Sequence, residues 1–291
     1  IKEHKYDLII PMLDEGADFL SQEKVHIEKL GIRVAIEDYE IFQKANDKQK
    51  LMELCREYDL PHPRTEALVK GNLDKAADYV GFPAMIKPNI SAGAKGIVKV
   101  DNMQELKEKF PNIEGKFGQC TLQQYVEQPD YYYNVMLYRD HKGEYPAYTI
   151  IKIRRYFPLK GGSSCYSETV EHKELLQACK IMLEKLNWKG FADIDVLEDK
   201  RSGELKIIEI NPRTPSSFQA SFAAGVDFAE IFVEDNLNPN ANLKKYPYYV
   251  GKQVRWFGLD AMWFVFSKNR FNFKPSWFMF WGKDVSYHDG T

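Results

Sequence analysis

The hydrophobic positions change period along this chain, and the changes mark its elements. Two apolar, β-branched runs at 191–197 and 205–210 flank the polar, Gly-containing stretch 199–204, which predicts a β-hairpin. Side chains alternate across a strand, so Glu209 and Asn211 share a face, and a turn centred near Ser202 sets Asp195 opposite Glu209. Just upstream, Leu175, Leu176, Cys179, Met182, Leu183 and Leu186 recur at helical spacing and predict an amphipathic helix over 171–186. Short apolar runs predict strands at 6–11, 32–35, 84–88, 97–100, 121–126, 131–139 and 148–155. Helices are expected over 14–30, with Phe19, Leu20, Val25, Ile27 and Leu30 as its apolar positions and Gly31 as its stop. Others are expected from Asp47, with Leu51, Leu54, Cys55 and Tyr58 at helical spacing, and over 73–80, 102–110, 218–224 and 228–236. The early β-α-β rhythm is that of the end of an open α/β domain, and 60–65, with two prolines, marks a boundary.

Placed on these elements, a few polar residues stand out. Two carboxylates facing each other on a buried sheet repel. A divalent cation removes that penalty, and Asp195, Glu209 and Asn211 offer the oxygen ligands that magnesium takes. Arg213, just past the strand, adds a fixed cation suited to phosphate or carboxylate. The alternative is an acidic edge strand with solvated carboxylates. Lys87 sits on an otherwise apolar strand and needs an anionic partner, which a nucleotide phosphate would supply. The loop 89–96 that follows is made of small residues, and its glycines let backbone N–H groups approach phosphate oxygens. It joins strand to strand, which matches neither the P-loop nor the Rossmann fingerprint, and alone it reads equally as a hairpin turn. Lys152, Arg154 and Arg155 followed by the Gly-Gly-Ser-Ser loop at 161–164 read as an anion site or as a solvated basic edge.

Bulk properties narrow the class. At 291 residues the chain suits two or three packed subdomains. It is 44% hydrophobic and 28% charged, and its net charge of −2 argues against a non-specific nucleic-acid binder. The four cysteines form no C-x-x-C pair, which fits free thiols in a reducing compartment and gives no zinc site. No apolar run is long enough for a transmembrane segment, and the cytoplasm is the default location. Residues 1–4 lack an initiator Met and read as the end of a helix feeding a strand, so the true N-terminus is expected upstream. Aromatics crowd the C-terminal end, at 256–257, 263–266 and 277–281, with Lys268, Arg270 and Lys274 nearby. Such a stripe is either core packed on the main domain or an exposed patch that docks a partner or a membrane surface.

Taken in order, these motifs resemble the ATP-grasp superfamily of ATP-dependent ligases. The ordered set is Lys48 at a helix start, Lys87 before the small-residue loop 91–96, a hinge at 123–126, and Glu209-Ile210-Asn211-Pro212-Arg213 closing an acidic hairpin. The resemblance runs from about Tyr6 to Leu237. It implies an α+β ATP-grasp fold, two α+β subdomains clasping ATP, preceded by a partial Rossmann-like α/β domain. The implied division is 1–45 for the partial domain, 46–243 for the ATP-grasp domain (lid about 65–122, larger subdomain about 126–243) and 244–291 for an aromatic-rich extension. ATP and Mg2+, with Mn2+ as a substitute, are the implied cofactors. Lys48 and Lys87 fall where the family binds phosphates, and Ser91, Ala92, Gly93 and Gly96 where it covers them. The adenine is expected at backbone groups of Gln124 and Val126, beside Tyr125, with the Gln123 side chain near the exocyclic amine and Asp130 at the ribose. Asp195, Glu209 and Asn211 are the implied magnesium ligands, and Arg213 steadies the transferring phosphate. Gln123 and Asp195 stand where relatives often have Glu, and Asn134 where an acid is common. The K-x-R-R-x-x-P and G-G-S-S stretch is most like the carboxylate–amine ligase branch, which includes D-aspartate ligase and carbamoyl-phosphate-synthase-like proteins. It places Arg155 on the acceptor side. The implied reaction activates a carboxylate as an acyl phosphate and couples it to an amine. Bicarbonate as the activated acid and a non-catalytic nucleotide-binding protein are the alternatives. Small-molecule substrates, no nucleic acid and a compatible homodimer complete the expectation.

Overall fold

The helix caps and turns foreseen from single residues organise the first half of the chain. In the computed structural model, residues 5–279 are described except Ala92 and Lys160, together with the backbone of 285–288. The expectations for 1–4 and for Phe280 and Trp281 therefore lie outside the described residues. A short parallel pair, β1 (Leu8–Ile9) and β2 (Arg33–Val34), encloses α1 (Asp14–Glu28). Helix α1 turns Ala17, Ser21 and Ile27 inward, whereas Phe19, Val25 and Leu30 are exposed. The expected apolar face is thus corrected: the small pair gives α1 only a narrow stripe to pack on. Helix α2 (Tyr39–Asn46), which the sequence reading did not anticipate, buries Phe42 and Ala45 and leads directly to α3 (Lys48–Glu57). Asp47 caps α3 as expected, its carboxylate accepting from the N–H groups of Gln49 and Lys50.

A four-stranded antiparallel sheet follows, in the order β3 (Thr65–Leu68), β6 (Cys120–Gln124), β4 (Ala84–Pro88), β5 (Val98–Val100). Helices α4 (Leu73–Val80) and α5 (Met103–Phe117) cover it around Leu68, Ile86, Leu106, Phe110 and Leu122. Helix α5 runs through Pro111, beyond its expected end at residue 110. Burial of Phe110 and Ile113 on the same core outweighs the backbone hydrogen bond that proline removes.

The large sheet has seven strands, ordered β11-β10-β7-β8-β9-β12-β13. They are β7 (Tyr132–Arg139), β8 (Ala147–Phe157), β9 (Ser163–Thr169), β10 (Gly190–Glu198), β11 (Leu205–Asn211), β12 (Gln253–Trp256) and β13 (Val285–His288). Its helices are α6 (Lys173–Lys185), α7 (Phe218–Ala223), α8 (Phe228–Leu237) and α9 (Phe257–Phe266). Helices α3 and α6 pack on one face through Leu51, Cys55, Leu175, Cys179 and Met182. The other face holds Met136, Ile151, Phe191, Phe228 and Phe232. Strand β9 escaped the sequence reading because its Ser- and Thr-rich run lacks the apolar alternation that marks a strand. Among the described residues no helix is long and apolar enough to cross a membrane.

The C-terminal segment joins this sheet. Strand β12 pairs with β9, and α9 lies on β8 and β9. Asp260, fully buried, accepts from Arg155 Nε at 2.6 Å and Nη2 at 3.0 Å and meets Arg255 Nε at 2.6 Å. Removing one member of a buried ionic cluster strands the others without compensation. Asp260→Ala is therefore expected to lower the unfolding free energy in urea by about 3–5 kcal/mol; a loss below about 1 kcal/mol would show that the cluster does not hold this segment down.

Candidate active site

Alternation along β10 buries Ile194 and Val196 in the α3–α6 core and turns Asp193 and Asp195 to the opposite face. Across the hairpin Asp195 is registered opposite Glu209 and, on its other side, opposite Asn134 of β7. The Asn134 amide bridges the two aspartates, donating to Asp193 and, at 2.9 Å, to Asp195, while its carbonyl accepts from the Ser217 hydroxyl at 2.9 Å. Burial and then the charge of Glu209 push Asp195 up to about 7. Burial and then Asp195 hold Asp193 well above the ordinary carboxylate range. For Glu209, burial works upward, but Lys48, Lys87, a hydrogen bond with Asp195 and Arg213 outweigh it and leave the group below its usual value.

The cations arrive from separate elements. Lys48, the first residue of α3, places its buried ammonium 3.6 Å from Glu209 Oε2 and donates to the Ser91 carbonyl at 3.1 Å. Its backbone N–H donates to the Asn89 carbonyl, so the loop 89–96 is stitched to the start of α3. Lys87 on β4 is buried, and burial brings it down to about 8, against the pull of Glu209. Arg213 is held by Asp14 at the start of α1, Nε to Oδ1 at 2.9 Å, and reaches Asn211 Oδ1 at 3.4 Å. Asn211 in turn donates to Asp195 Oδ2 at 3.3 Å. Among the described residues no group of three His, Cys, Asp or Glu is arranged to hold a metal. A cation here would rest on Asp195, Glu209 and the Asn211 oxygen and complete its shell with ligand oxygens, as magnesium does at phosphate sites. The donor set fits: two half-buried carboxylates face each other, and Glu209 pushes Asp195 toward its protonated form, an arrangement that a divalent ion relieves.

The two small-residue loops meet. Gly93, Ala94 and Gly96 all have positive φ, and a side chain at Gly96 would come within 2.8 Å of Pro88 and Phe117. A Cβ at Gly161 of the second loop would stand 3.7 Å from the Ala94 methyl. Ala92 lies outside the described residues. At the hinge, Gln123 is buried and its amide donates to the Thr65 hydroxyl at 3.0 Å. The Gln124 N–H donates to the Arg64 carbonyl at 2.8 Å. Tyr125 donates through its N–H to Pro83, Val126 is buried, and Asp130 is exposed in the turn before β7.

The expectation for Arg155 is corrected. Its guanidinium is turned into the cluster with Asp260, donates to the Pro275 carbonyl and lies 4.2 Å from the Tyr166 ring centre, leaving no free donor face for an acceptor carboxylate. Its neighbours are also engaged: Arg154 pairs with Glu168 at 2.8 Å, and Lys152 stands 3.7 Å above the Tyr131 ring. The strand cations do not converge on an anion site.

The profile of the ATP-grasp domain matches residues 45–217, more than half of the chain. The chain belongs to the ATP-grasp family. Membership carries the α+β ATP-grasp fold. The chain is 28% identical over 254 residues to the D-aspartate ligase of Enterococcus faecium, which covers 81% of this chain and 60% of that protein. It is 28% identical over 220 residues to the carbamoyl phosphate synthase large chain of Clostridium acetobutylicum, covering 70% and 20%. The chain thus spans less than two thirds of each of these relatives. Among solved structures, the fold is shared with a D-alanine–D-alanine ligase from Bacillus anthracis (TM-score 0.65, 20% identity, 82% of each chain). It is shared too with a biotin carboxylase from Campylobacter jejuni (TM-score 0.71, 18% identity, 85% and 58%).

Sequence reasoning passed over Asp193, Ser217 and Asp14. Asp193 carried a signal, being two residues from Asp195 on the same strand and therefore on the same face. Asp14 carried none, since 199 positions separate it from Arg213. The electrostatics make a sign-definite prediction. Asp195 keeps its proton to about pH 7 when folded but releases it near 3.8 when unfolded, so it favours the folded state at low pH and loses that contribution as pH rises to about 7. Ligand-free Asp195→Asn is expected to gain melting temperature over the parent at pH 8, with the gain shrinking toward pH 5. Equal differences at both pH values would contradict the facing-carboxylate origin of the shift.

Proposed function

We propose that the chain is an ATP- and magnesium-dependent ligase that activates a substrate carboxylate as an acyl phosphate and couples it to an amine. The observation that carries this reading is the convergence of Lys48 and Lys87, from two different elements, on a carboxylate that faces a second one across the hairpin. The reaction opposes an anionic nucleophile to a triphosphate, so its barrier is largely electrostatic. Lys48 and Lys87 offset phosphate charge, and Arg213, oriented by Asp14, meets the phosphoryl group in transit. Magnesium, when bound by Asp195, Glu209 and Asn211, neutralises the remaining phosphate charge. Gly93, Ala94 and Gly96, met by Gly161 of the second loop, shield the activated acyl group from water. The amine then displaces phosphate and an amide results. No side-chain nucleophile is called for.

The lid over 65–122 and a larger subdomain from about 126 are our division of the chain; the four-stranded sheet supports the first, and the seven-stranded sheet extends the second past 243, because β12 and β13 belong to it. The match to a D-aspartate ligase over 81% of the chain supports an amino-acid acid–amine pair. The match to carbamoyl phosphate synthase keeps bicarbonate as the second reading. Four buried free cysteines support a reducing compartment, and we assign the chain to the cytoplasm. Lys87→Ala and Glu209→Ala are each expected to lower ATP-dependent product formation by about 100-fold or more with unchanged circular dichroism; near-normal turnover in both would overturn the assignment. ADP release should require an amino-acid pair, and release with bicarbonate alone would select the second reading.

A further inference from the structure

Helix α9 is fixed by its inner side. Asp260, Trp263 and Ser267 are buried, with Asp260 locked between Arg155 and Arg255. That anchorage sets the opposite side outward, and it is apolar: Met262 is 42% exposed, Val265 62% and Phe266 57%. The segment after the helix adds Phe271 at 69% and Phe278 at 57%, both in ring contact with Phe264 at 5.5 Å. Three cations belong to the same segment. Lys268 and Lys274 are exposed, and Arg270 donates to the Val265 and Ser267 carbonyls at the end of α9 while lying over Phe271. Between 257 and 279 the sole acid is Asp260, which is buried, so the exposed charge of this segment is entirely positive in a chain of net charge −2.

Exposed aromatic and aliphatic side chains accompanied only by Lys and Arg complement an anionic bilayer surface, with rings at the acyl boundary and ammonium groups among headgroup phosphates. A second copy docked through the same patch about a two-fold axis would set like cations against one another, with no acid of the segment to offset them. We propose that residues 257–279 dock this chain on an anionic lipid bilayer, with Val265, Phe266 and Phe271 entering the interface and Lys268, Arg270 and Lys274 on its headgroups. The attachment is to the surface, and it stands apart from the reading of the active site.

The test is co-sedimentation of the full chain with phosphatidylcholine vesicles and with vesicles that also contain phosphatidylglycerol. Retention is expected on the second only, weakening as salt is raised. Lys268→Gln and Lys274→Gln should each weaken it about fivefold, and Val265→Ser with Phe271→Ser should abolish it while melting temperature and ADP release stay unchanged. Absence of retention, equal retention on neutral vesicles, or retention unmoved by these substitutions would overturn the proposal. Self-association without lipid that Phe271→Ser abolishes, in a chain that vesicles do not retain, would overturn it in favour of a second copy.

Discussion

Asp195 and Glu209 face each other across a hairpin whose other side is buried in the α3–α6 core. Neither can turn away, because shifting the register by one residue would drive Ile194 and Val196 out of that core. The repulsion is therefore built in, and the surrounding groups answer it. Asn134 donates to both aspartates, Asn211 donates to Asp195, and Lys48 and Lys87 draw Glu209 toward the charged form. The result is an uneven pair, with Asp195 holding a proton near neutrality and Glu209 ionised. Such a pair is ready to exchange its proton for a cation.

The same electrostatics connect elements that packing alone would leave separate. Lys87 belongs to the four-stranded sheet, Glu209 to the seven-stranded one and Lys48 to the helix between them. Glu209 is the common partner, and the Lys48 contact with Ser91 brings the loop after β4 to the same place. Burying Lys87 costs enough to bring it down to about 8. A triphosphate beside Lys87 would raise it back toward its ordinary value, a shift opposite in sign to the one a cation would impose on Asp195. A nucleotide with its magnesium relieves both at once.

Much of this was legible in the sequence where the signal is local. The Asp47 cap, the α6 stripe, the strand bearing Lys87 and the register of Asp195 with Glu209 all follow from spacings of a few residues. Local signals failed where a distant element decides the outcome. Phe19 and Val25 sit at helical spacing in α1, yet the two-stranded pair beneath gives them nothing to cover. Pro111 reads as a stop, yet the small-sheet core carries α5 past it.

Arg155 shows why a cluster of cations on a strand is poor evidence of an anion site. Alternation alone sends Arg154 and Arg155 to opposite faces, so three cations within four residues cannot converge without a bulge. The strand pair does shift register near Arg155, but the acid waiting there is Asp260, 105 positions away on a helix that the sequence reading treated as an aromatic tail. Both features resolve together. The cation that lacked a substrate and the tail that lacked a purpose are two halves of one buried cluster. Because that cluster fastens the inner side of α9 to the sheet, the exposure of the outer side is a fixed property of the fold.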